Sequence, residues 1–504
     1  MGVFEAFADG FAHFWGPYPL ALLAIGTVIG LVFGVMPGLG GTTAIALLTP
    51  LTLSMAPWEA ITLMAGVMAS TATSGAVSAI LINTPGTSPN AATVLDGYPL
   101  AKQGRAGYAI GAAATASGVG GLLGMGFLIA VIPITREIVL SFGPPEFFLM
   151  AILGLCAVAV STEGKFLRGL VVACFGLAVS CVGFDDVSGA TRFDFGTIYL
   201  WDGIKLVPAM IGLFAVAEMI NLWAKGGSVV EDPSNVKIDF RQVLEGCGEA
   251  FRRWPVVMRG SAIGAGVGAL PGVGGTVAAF LAYTVAAQSD PNRDKFGTGE
   301  IAGVIAPESA NNAKEGGALI PTLAFGIPGS AEMAVFLGVL VLHGLAPGPT
   351  IMTMHMDVIW TLIIATVISG VIGAIITLVA ASPIARLTLV DNRTLVPIVM
   401  SFALIGSYSL NNEILDVVAT LAFGLIGYAF MRLGYPRLTF PIALVLGPIM
   451  EVSYYQSMRI GDESHFIFIE SLPAKILAAL LVVAICYPTA RFLTRRKRRA
   501  TPAE

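Results

Sequence analysis

Charged residues are scarce in this sequence of 504 residues. Asp, Glu, Lys and Arg make up only 12% of it, whereas hydrophobic residues make up 56%. A soluble globular protein carries roughly 25% charged residues, so this chain has too few to cover a water-exposed surface of its size. The composition excludes a cytosolic enzyme, a nucleic-acid-binding protein and a disordered scaffold. It predicts instead that lipid covers most of the exterior.

Cysteine and histidine are also few, at five and four residues. The cysteines form no C-x-x-C pair, so we interpret them as small buried side chains, and the histidines do not have the spacing of metal ligands. The sequence has no G-x-x-x-x-G-K-[ST], G-x-S-x-G or H-E-x-x-H motif. We therefore expect no catalytic residues, no metal and no cofactor. Energy for any transport is expected to come from an ion gradient or a partner.

Apolar runs are what the sequence has in abundance. A membrane-spanning helix needs about 20 mostly apolar residues. Runs that reach or approach this length are 18–36, 57–82, 106–134, 145–161, 166–183, 203–224, 257–270, 277–288, 300–326, 330–343, 358–381, 394–408, 415–431, 438–450 and 473–492. Because several are short or interrupted, the sequence predicts an all-α polytopic membrane protein with about 11–13 membrane segments.

Lys and Arg predict the orientation of the chain, because they concentrate in cytoplasmic loops. The densest basic cluster is 495–499, which places the C-terminus in the cytoplasm, whereas residues 1–101 contain no Lys or Arg and suit a periplasmic N-terminus. Loops 184–201, 409–414 and 451–470 fall outside, and the Asp185 turn is interpreted as solvated.

An internal repeat divides the chain. The pattern G-x-[ML]-P-G-[LV]-G-G-T occurs at 34–42 and again at 268–276, P-G-T at 85–87 is matched by P-G-S at 328–330, and Pro208 and Glu218 are matched by Pro441 and Glu451. Three anchors in the same order indicate a tandem duplication. The predicted domains are a first membrane repeat 1–224, a cytoplasmic linker 225–256, a second repeat 257–456, and an extra C-terminal helix with a basic tail 457–504.

The charge map predicts that the repeats have opposite orientations. The helix after the first P-G-T begins at cytoplasmic Lys102 and Arg105, whereas its counterpart ends at cytoplasmic Arg386. Inverted repeats with broken helices or re-entrant hairpins are typical of secondary transporters, whose substrate sites lie near the bilayer midplane.

The P-G-x-G-G segments cannot form regular helix interior, because Pro removes a hydrogen-bond donor and Gly weakens the helix. Their freed N–H groups could hold an anion and their freed carbonyls a small cation; a tight helix crossing is the alternative interpretation. The candidate substrate- and ion-binding residues at the two breaks are Pro37, Gly38, Gly40, Gly41, Thr42, Thr43, Pro271, Gly272, Gly274, Gly275 and Thr276.

Two further segments, 83–90 and 308–330, are rich in hydroxyl and amide groups suited to a carboxylate and a Na⁺ ion. Their candidate binding residues are Asn83, Thr84, Pro85, Gly86, Thr87, Ser88, Asn90, Glu308, Ser309, Asn311, Asn312, Pro328, Gly329 and Ser330. The ionisable groups Glu308, Lys314, Glu315 and Glu332 are functional candidates because charge is costly near a membrane. For the Ser and Thr residues, the alternative interpretation is ordinary interhelical hydrogen bonding. For the ionisable group, it is a helix end at the membrane interface, with Lys314 paired to Glu315 or Glu308. For Glu218 and Glu451 we favour interface or loop contacts.

At these residues the sequence resembles a known family, the large membrane subunit of the tripartite tricarboxylate transporters (TctA). The resemblance is carried by segments 34–41, 82–87, 95–104, 268–275, 308–313 and 316–330. It implies a secondary carrier of the bacterial inner membrane, not an enzyme, that takes citrate or another carboxylate from a periplasmic solute-binding protein. It also implies a small membrane subunit as partner, coupling to Na⁺ or H⁺, and no nucleic acid.

These features predict ion-coupled uptake of a carboxylate by alternating access around the two breaks. A stand-alone carrier for another solute is the first alternative. An intramembrane enzyme would need a nucleophile–base pair or paired Asp residues, for which the sequence shows no spacing. A channel is a third alternative, which saturable, gradient-coupled uptake would exclude.

Overall fold

The computed structural model describes residues 3–161, 166–185, 187–225, 238–387, 390–484 and 486, and most of these residues are helical. The helices of the first half are α1 (Val3–Ala12), α2 (Pro17–Val35), α3 (Gly40–Leu48), α4 (Pro57–Ile82), α5 (Ala91–Lys102), α6 (Ala106–Leu140), α7 (Pro144–Ser161), α8 (Phe166–Ser180), α9 (Leu206–Met210) and α10 (Ala217–Lys225). A π-helical segment, Ile211–Val216, joins α9 to α10.

The second half has the same helical character. Its helices are α11 (Phe240–Arg252), α12 (Trp254–Gly268), α13 (Gly274–Ser289), α14 (Ala302–Phe325), α15 (Ala331–Leu342), α16 (Pro349–Met354), α17 (Met356–Arg386), α18 (Asn392–Asn411), α19 (Ile414–Leu433), α20 (Thr439–Ile460) and α21 (Leu472–Ala484). Within the described ranges, β-structure is limited to one antiparallel pair, β1 (Gly183–Phe184) and β2 (Thr191–Arg192).

In the part of the chain that the structure describes, seven helices are long and apolar enough to cross a membrane. They are Pro17–Val35, Pro57–Ile82, Ala106–Leu140, Leu206–Lys225, Met356–Ile384, Asn392–Asn411 and Ile414–Leu433. Four shorter apolar helices accompany them. The prediction of an all-α polytopic membrane protein is therefore confirmed, and the predicted run 57–82 coincides with α4.

The segment predicted as a linker contains a helix that the sequence analysis missed. Asp239 caps the start of α11 by accepting the backbone N–H of Arg241 at 3.0 Å, and α12 follows after a single residue. The charges of this segment hid the helix from a search for apolar runs. Residues 226–237, Lys165 and the basic cluster 495–499 lie outside the described residues.

Two compact units are present, and they do not coincide with the two halves of the sequence. The larger unit comprises Met1–Arg136 and Val207–Tyr428, and the smaller comprises Glu137–Leu206 and Ala429–Glu504. In the smaller unit, Leu149 of α7 packs against Ala474 and Leu477 of α21. Its β-pair is joined to α20 by Arg192, which donates two hydrogen bonds to Glu451 at 2.7 and 2.8 Å.

Glycines set the helix packing of the larger unit. On α2 and α12, every fourth residue is a Gly that lies against the backbone of α4 or α14. The backbone contacts are Gly26 with Leu63, Gly30 with Val67, Gly34 with Thr71, Gly260 with Ala306, Gly264 with Ala310 and Gly268 with Lys314. In both sets the residue numbers of the two contacting helices increase in the same direction. Helix α2 is therefore parallel to α4, and α12 is parallel to α14. The shared register supports a duplication, whereas the inverted orientation of the repeats stays a prediction.

Candidate functional site

Both P-G-x-G-G segments interrupt a helix, as predicted. The first break lies between the end of α2 at Val35 and the start of α3 at Gly40, and the second between the end of α12 at Gly268 and the start of α13 at Gly274. At each break two glycines take the left-handed conformation, with φ of 88° and 62° at Gly38 and Gly40, and 73° at both Gly272 and Gly274. Side chains rarely adopt these angles, which explains the motif.

Each P-G-T or P-G-S loop closes against the helix that precedes a break. A Cβ built on Gly86 would lie 2.0 Å from the carbonyl oxygen of Gly34, and one built on Gly329 would lie 2.9 Å from the carbonyl oxygen of Gly268. The helices before these loops, α4 and α14, also end alike. Each is followed by a residue in the left-handed conformation, Asn83 with φ of 55° and Gly326 with φ of 67°. The two loops therefore occupy corresponding places in the two halves.

Glu308 lies fully buried at the centre of a hydrogen-bond cluster contributed by both halves. Its Oε1 accepts hydrogen bonds from Asn90 Nδ2 at 3.0 Å and from the hydroxyl of Thr93, and its Oε2 accepts one from the hydroxyl of Ser117 at 2.9 Å. Three donors satisfy the carboxylate without an ion pair. The alternative that Lys314 pairs with Glu308 is wrong.

Asn90 joins this cluster to the first loop. Its amide nitrogen also donates to the carbonyl of Ala72 at 3.3 Å, and its amide oxygen accepts from the backbone N–H of Thr87 at 3.3 Å and from the Thr87 hydroxyl. The predicted residues Asn90 and Glu308 are therefore in direct contact, although 218 positions separate them.

A second charged group connects the two breaks. The ammonium of Lys314 pairs with Glu315 and, at 3.2 Å, with Glu332. The side chain of Lys314 passes directly over Gly275 of the second break, since a Cβ built on Gly275 would lie 2.3 Å from Lys314 Cε. Glu332 lies beside the first break, since a Cβ on Gly41 would lie 2.7 Å from its Oε1. Lys314 therefore pairs with Glu315, as the alternative interpretation had it, but within a buried helix and not at a helix end.

The asparagines of α14 face α4. Asn312 donates from Nδ2 to the hydroxyl of Thr73 at 3.0 Å, and Asn311 donates to the carbonyl of Ala72 at 3.5 Å. The opposite amide oxygens of both residues, and Oε2 of Glu315, are buried and accept no hydrogen bond from the described residues. Unpaired buried acceptors are costly, so this part of α14 is suited to hold a ligand.

The sequence analysis missed a further polar cluster around Asp96. The Asp96 carboxylate accepts hydrogen bonds from the Tyr283 hydroxyl at 2.9 Å and from the backbone N–H groups of Gly299 at 2.8 Å and Glu300 at 2.9 Å. Glu300 also pairs with Arg253 at 2.8 Å. The available signal was the position of Asp96 inside segment 95–104, which carries part of the family resemblance.

Other predicted site residues have local structural contacts. Ser309 packs beneath Gly120 and Gly260, and its hydroxyl donates to its own helix at Ala306. The Thr84 hydroxyl donates to the carbonyl of Ile82 at 3.2 Å. Ser330 caps α15 by accepting the N–H of Met333 at 3.3 Å. Positions with little or partial burial are Pro37, Gly38, Thr42, Asn83, Pro85, Ser88 and Thr276, whereas Thr43 and Pro328 are buried.

Glu218 and Glu451 differ despite their matching positions. Glu451 contacts the loop residue Arg192, as favoured from the sequence, and this carboxylate raises the pKa of the Arg192 guanidinium above its usual value. Glu218 is buried beside the first break, where a Cβ on Gly38 would lie 3.2 Å from its Oε1. Among the described residues, no group of three or more His, Cys, Asp or Glu side chains could hold a metal ion.

Comparison with known proteins places the chain in a family. The model of the "Tripartite tricarboxylate transporter TctA family" matches residues 20–441. An uncharacterized 52.8 kDa protein in the TAR-I ttuC' 3' region of Agrobacterium vitis is 32% identical over 489 residues, which cover 96% of this chain and 95% of that protein. An uncharacterized protein in the TAR-II ttuC' 3' region of the same organism is 34% identical over 219 residues, 44% of this chain and 90% of that protein.

No solved structure matches the chain. The match to the family model covers most of the sequence, and the apolar helices fit the multi-pass membrane component of a transporter. The chain therefore belongs to the tripartite tricarboxylate transporter TctA family.

Proposed function

We propose that this chain is the large membrane subunit of a binding-protein-dependent tripartite transporter of the bacterial inner membrane. In this proposal it takes up a citrate-like tricarboxylate or a related organic acid, driven by a Na⁺ or H⁺ gradient. The observation that carries the proposal is the convergence of two glycine breaks on one buried charged cluster formed by Lys314, Glu315 and Glu332. Such breaks supply both anion- and cation-binding backbone groups.

The second break is the better candidate for the substrate carboxylate. The start of α13 carries no side-chain cap, and nothing lies within 4 Å of a Cβ built on Gly274, so there is open space beside the first residue of this helix. The side chain of Lys314 passes over Gly275 and brings a positive charge close by. Uncapped N–H groups at the positive end of a helix favour an anion once a cation or a proton has neutralised the net negative charge of the group formed by Lys314, Glu315 and Glu332.

The first break is less suited to a second anion. The carboxylate of Glu332 lies beside Gly41, at the start of α3. It already interacts with the positive end of this helix dipole and would repel a further negative charge. We therefore assign the two breaks different roles, although their sequences are alike.

Ion coupling follows from the charge of the cluster. Glu315 and Glu332 share the single ammonium of Lys314, so the group carries an excess negative charge in a buried environment. A cation or a proton that neutralises this charge lowers the cost of burial. Binding of a coupling cation thereby favours the state that also holds the anionic substrate.

Transport in proteoliposomes tests the proposal. We expect uptake of radiolabelled citrate, or of another carboxylate from a panel, to need this chain, its small membrane subunit and its periplasmic binding protein. Uptake should stop when the Na⁺ and H⁺ gradients are both collapsed. Uptake that continues without either gradient contradicts coupling, and uptake without the binding protein identifies a stand-alone carrier.

A matched pair of α13 variants tests the assignment of the second break. We expect Thr276→Val to raise the KM for uptake about tenfold, because a hydroxyl at the predicted anion site is lost. Thr284→Val is the control, since this hydroxyl is exposed and donates to Phe280 of its own helix. Equal KM values for the two variants would contradict the assignment.

A further inference from the structure

A small cavity lies where four helices of the two halves meet. It is bounded by α4, α6, α14 and α17, and its lining includes Ala69, Gly121, Asn312, Glu315, Thr366 and Gly370. All these residues belong to the larger compact unit. Gly370 is buried, yet nothing lies within 4 Å of a Cβ built on it, so the wall formed by α17 leaves room for a small ligand.

Two oxygen atoms on the α14 wall need a partner. Asn312 and Glu315 are only 4% and 2% exposed, and Asn312 Oδ1 and Glu315 Oε2 accept no hydrogen bond from any described residue. The other polar atom of each side chain is engaged, since Asn312 Nδ2 donates to Thr73 and Glu315 Oε1 pairs with Lys314. These contacts orient the two free oxygens.

Thr366 supplies a third oxygen from the α17 wall of the cavity. Its hydroxyl donates to the carbonyl of Leu362 at 2.7 Å, so the lone pairs of Oγ1 remain available to coordinate a cation. The lining therefore offers an amide oxygen, a carboxylate oxygen and a hydroxyl oxygen. Oxygen ligands of these types suit hard cations.

Charge and chemistry favour a monovalent metal cation. Lys314 offsets one of the two carboxylates of Glu315 and Glu332, which leaves a single formal negative charge in this group. One positive charge neutralises it, whereas a divalent cation would leave an excess. A proton on Glu315 would also neutralise this charge and could donate to Asn312 Oδ1, so measurements of Na⁺ binding distinguish the two coupling ions.

We propose that this cavity is a Na⁺ site formed by Asn312 Oδ1, Glu315 Oε2 and Thr366 Oγ1. The proposal rests on the ion coupling in the proposed function and specifies its ion and its ligands. Because Lys314 joins Glu315 to Glu332 beside the first break, Na⁺ at this site acts on the same charged group that lies next to the substrate region.

Thermal unfolding and ²²Na⁺ binding of the purified full-length chain test the site. Na⁺ is titrated against choline and K⁺ at constant ionic strength, and a specific site should raise the Tm with Na⁺ concentration. We expect Asn312→Ala and Gly370→Ala each to weaken Na⁺ binding about tenfold or more, because the first removes a ligand and the second places a methyl group in the cavity.

Gly370→Ala separates binding from folding. A Gly→Ala change inside a helix with free space should not lower the Tm without Na⁺, so a smaller Na⁺-induced shift reports the site alone. Gly126→Ala on α6 is the control, because it also has nothing within 4 Å of its Cβ but does not line the cavity. It should keep the full Na⁺ response.

Specific outcomes overturn the proposal. A Tm that responds equally to Na⁺, K⁺ and choline means that no Na⁺ site exists, and unchanged ²²Na⁺ binding in both Asn312→Ala and Gly370→Ala means that the site lies elsewhere. These measurements need no substrate or partner subunit. Na⁺-driven uptake with unaltered Na⁺ binding in the two variants would refute the site and leave the proposed function standing. Specific Na⁺ binding without carboxylate uptake would support the site and refute the proposed function.

Discussion

At the scale of single residues, the polar centre depends on side chains that one half of the chain donates to the other. Glu308 of α14 accepts hydrogen bonds from Asn90, Thr93 and Ser117. The sequence predicted Glu308 and Asn90 as site residues because they are polar groups within or beside apolar runs. Thr93 and Ser117 were not predicted, because isolated hydroxyls in apolar helices have no pattern that distinguishes them.

Replacing Glu308 tests the importance of this centre. In Glu308→Gln, the amide nitrogen donates where the carboxylate oxygen accepted, so the Ser117 hydroxyl must turn to accept from it, and the negative charge that strengthens all three hydrogen bonds is lost. We expect the free energy of unfolding to fall by about 1–3 kcal/mol and uptake to decrease. Thermal unfolding in detergent and uptake in proteoliposomes provide the measurements.

Glu245→Gln is the control for this substitution, because Glu245 lies exposed on α11. It should match the wild-type protein in both measurements. A Glu308→Gln protein with wild-type unfolding would mean that the charge of Glu308 contributes nothing to stability through these three hydrogen bonds.

At the scale of helices and loops, hydropathy and the Pro/Gly motifs predicted most of the architecture. The bounds of α4 agree with the predicted run, and the two helix breaks lie where Pro and Gly placed them. The exception is α11, whose amphipathic, charged sequence was interpreted as part of a linker. The close packing of the P-G-T loop on the start of its break was also not predictable, because a single sequence does not specify contacts between distant segments.

The loop glycines provide a test of this packing. Gly86→Ala would place a Cβ 2.0 Å from the carbonyl oxygen of Gly34, so the loop must move. We expect the free energy of unfolding to fall by about 1–3 kcal/mol. In Gly329→Ala, the new Cβ would lie 2.8 Å from Ala318 and 2.9 Å from the carbonyl oxygen of Gly268. This substitution should therefore lower the free energy of unfolding less. Thermal unfolding compares the two variants.

Gly266→Ala is the matched substitution for these loop variants, because it lies exposed on α12 and its Cβ would meet no atom within 4 Å. It should leave the Tm unchanged or raise it. A Gly86→Ala protein as stable as Gly266→Ala would contradict the packing described for this loop.

At the scale of the whole molecule, charge distribution predicts the direction of the chain through the bilayer. The sequence places segment 225–256 in the cytoplasm and loop 184–201 outside, a difference that rests on Lys and Arg counts alone. The orientation therefore remains a prediction, as does the inversion of the repeats.

Single cysteines on the two sides test the orientation. In a variant lacking the five native cysteines, Ala190→Cys in the outside loop should react with a membrane-impermeant maleimide on spheroplasts. Glu245→Cys on α11 should react only after the membrane is permeabilised. Both positions are exposed on the protein surface, so burial does not affect the comparison. Reaction at Glu245→Cys before permeabilisation would reverse the predicted topology.

The buried charges of α14 also bear on how the chain is synthesised. With Glu308, Lys314 and Glu315, α14 is not one of the seven helices apolar enough to cross a membrane alone. Each such group costs roughly 2.5–3.5 kcal/mol at the centre of an inserting helix. The donors that satisfy Glu308 come from residues that leave the ribosome earlier. Biogenesis of the second half thus relies on a first half already integrated by the translocon.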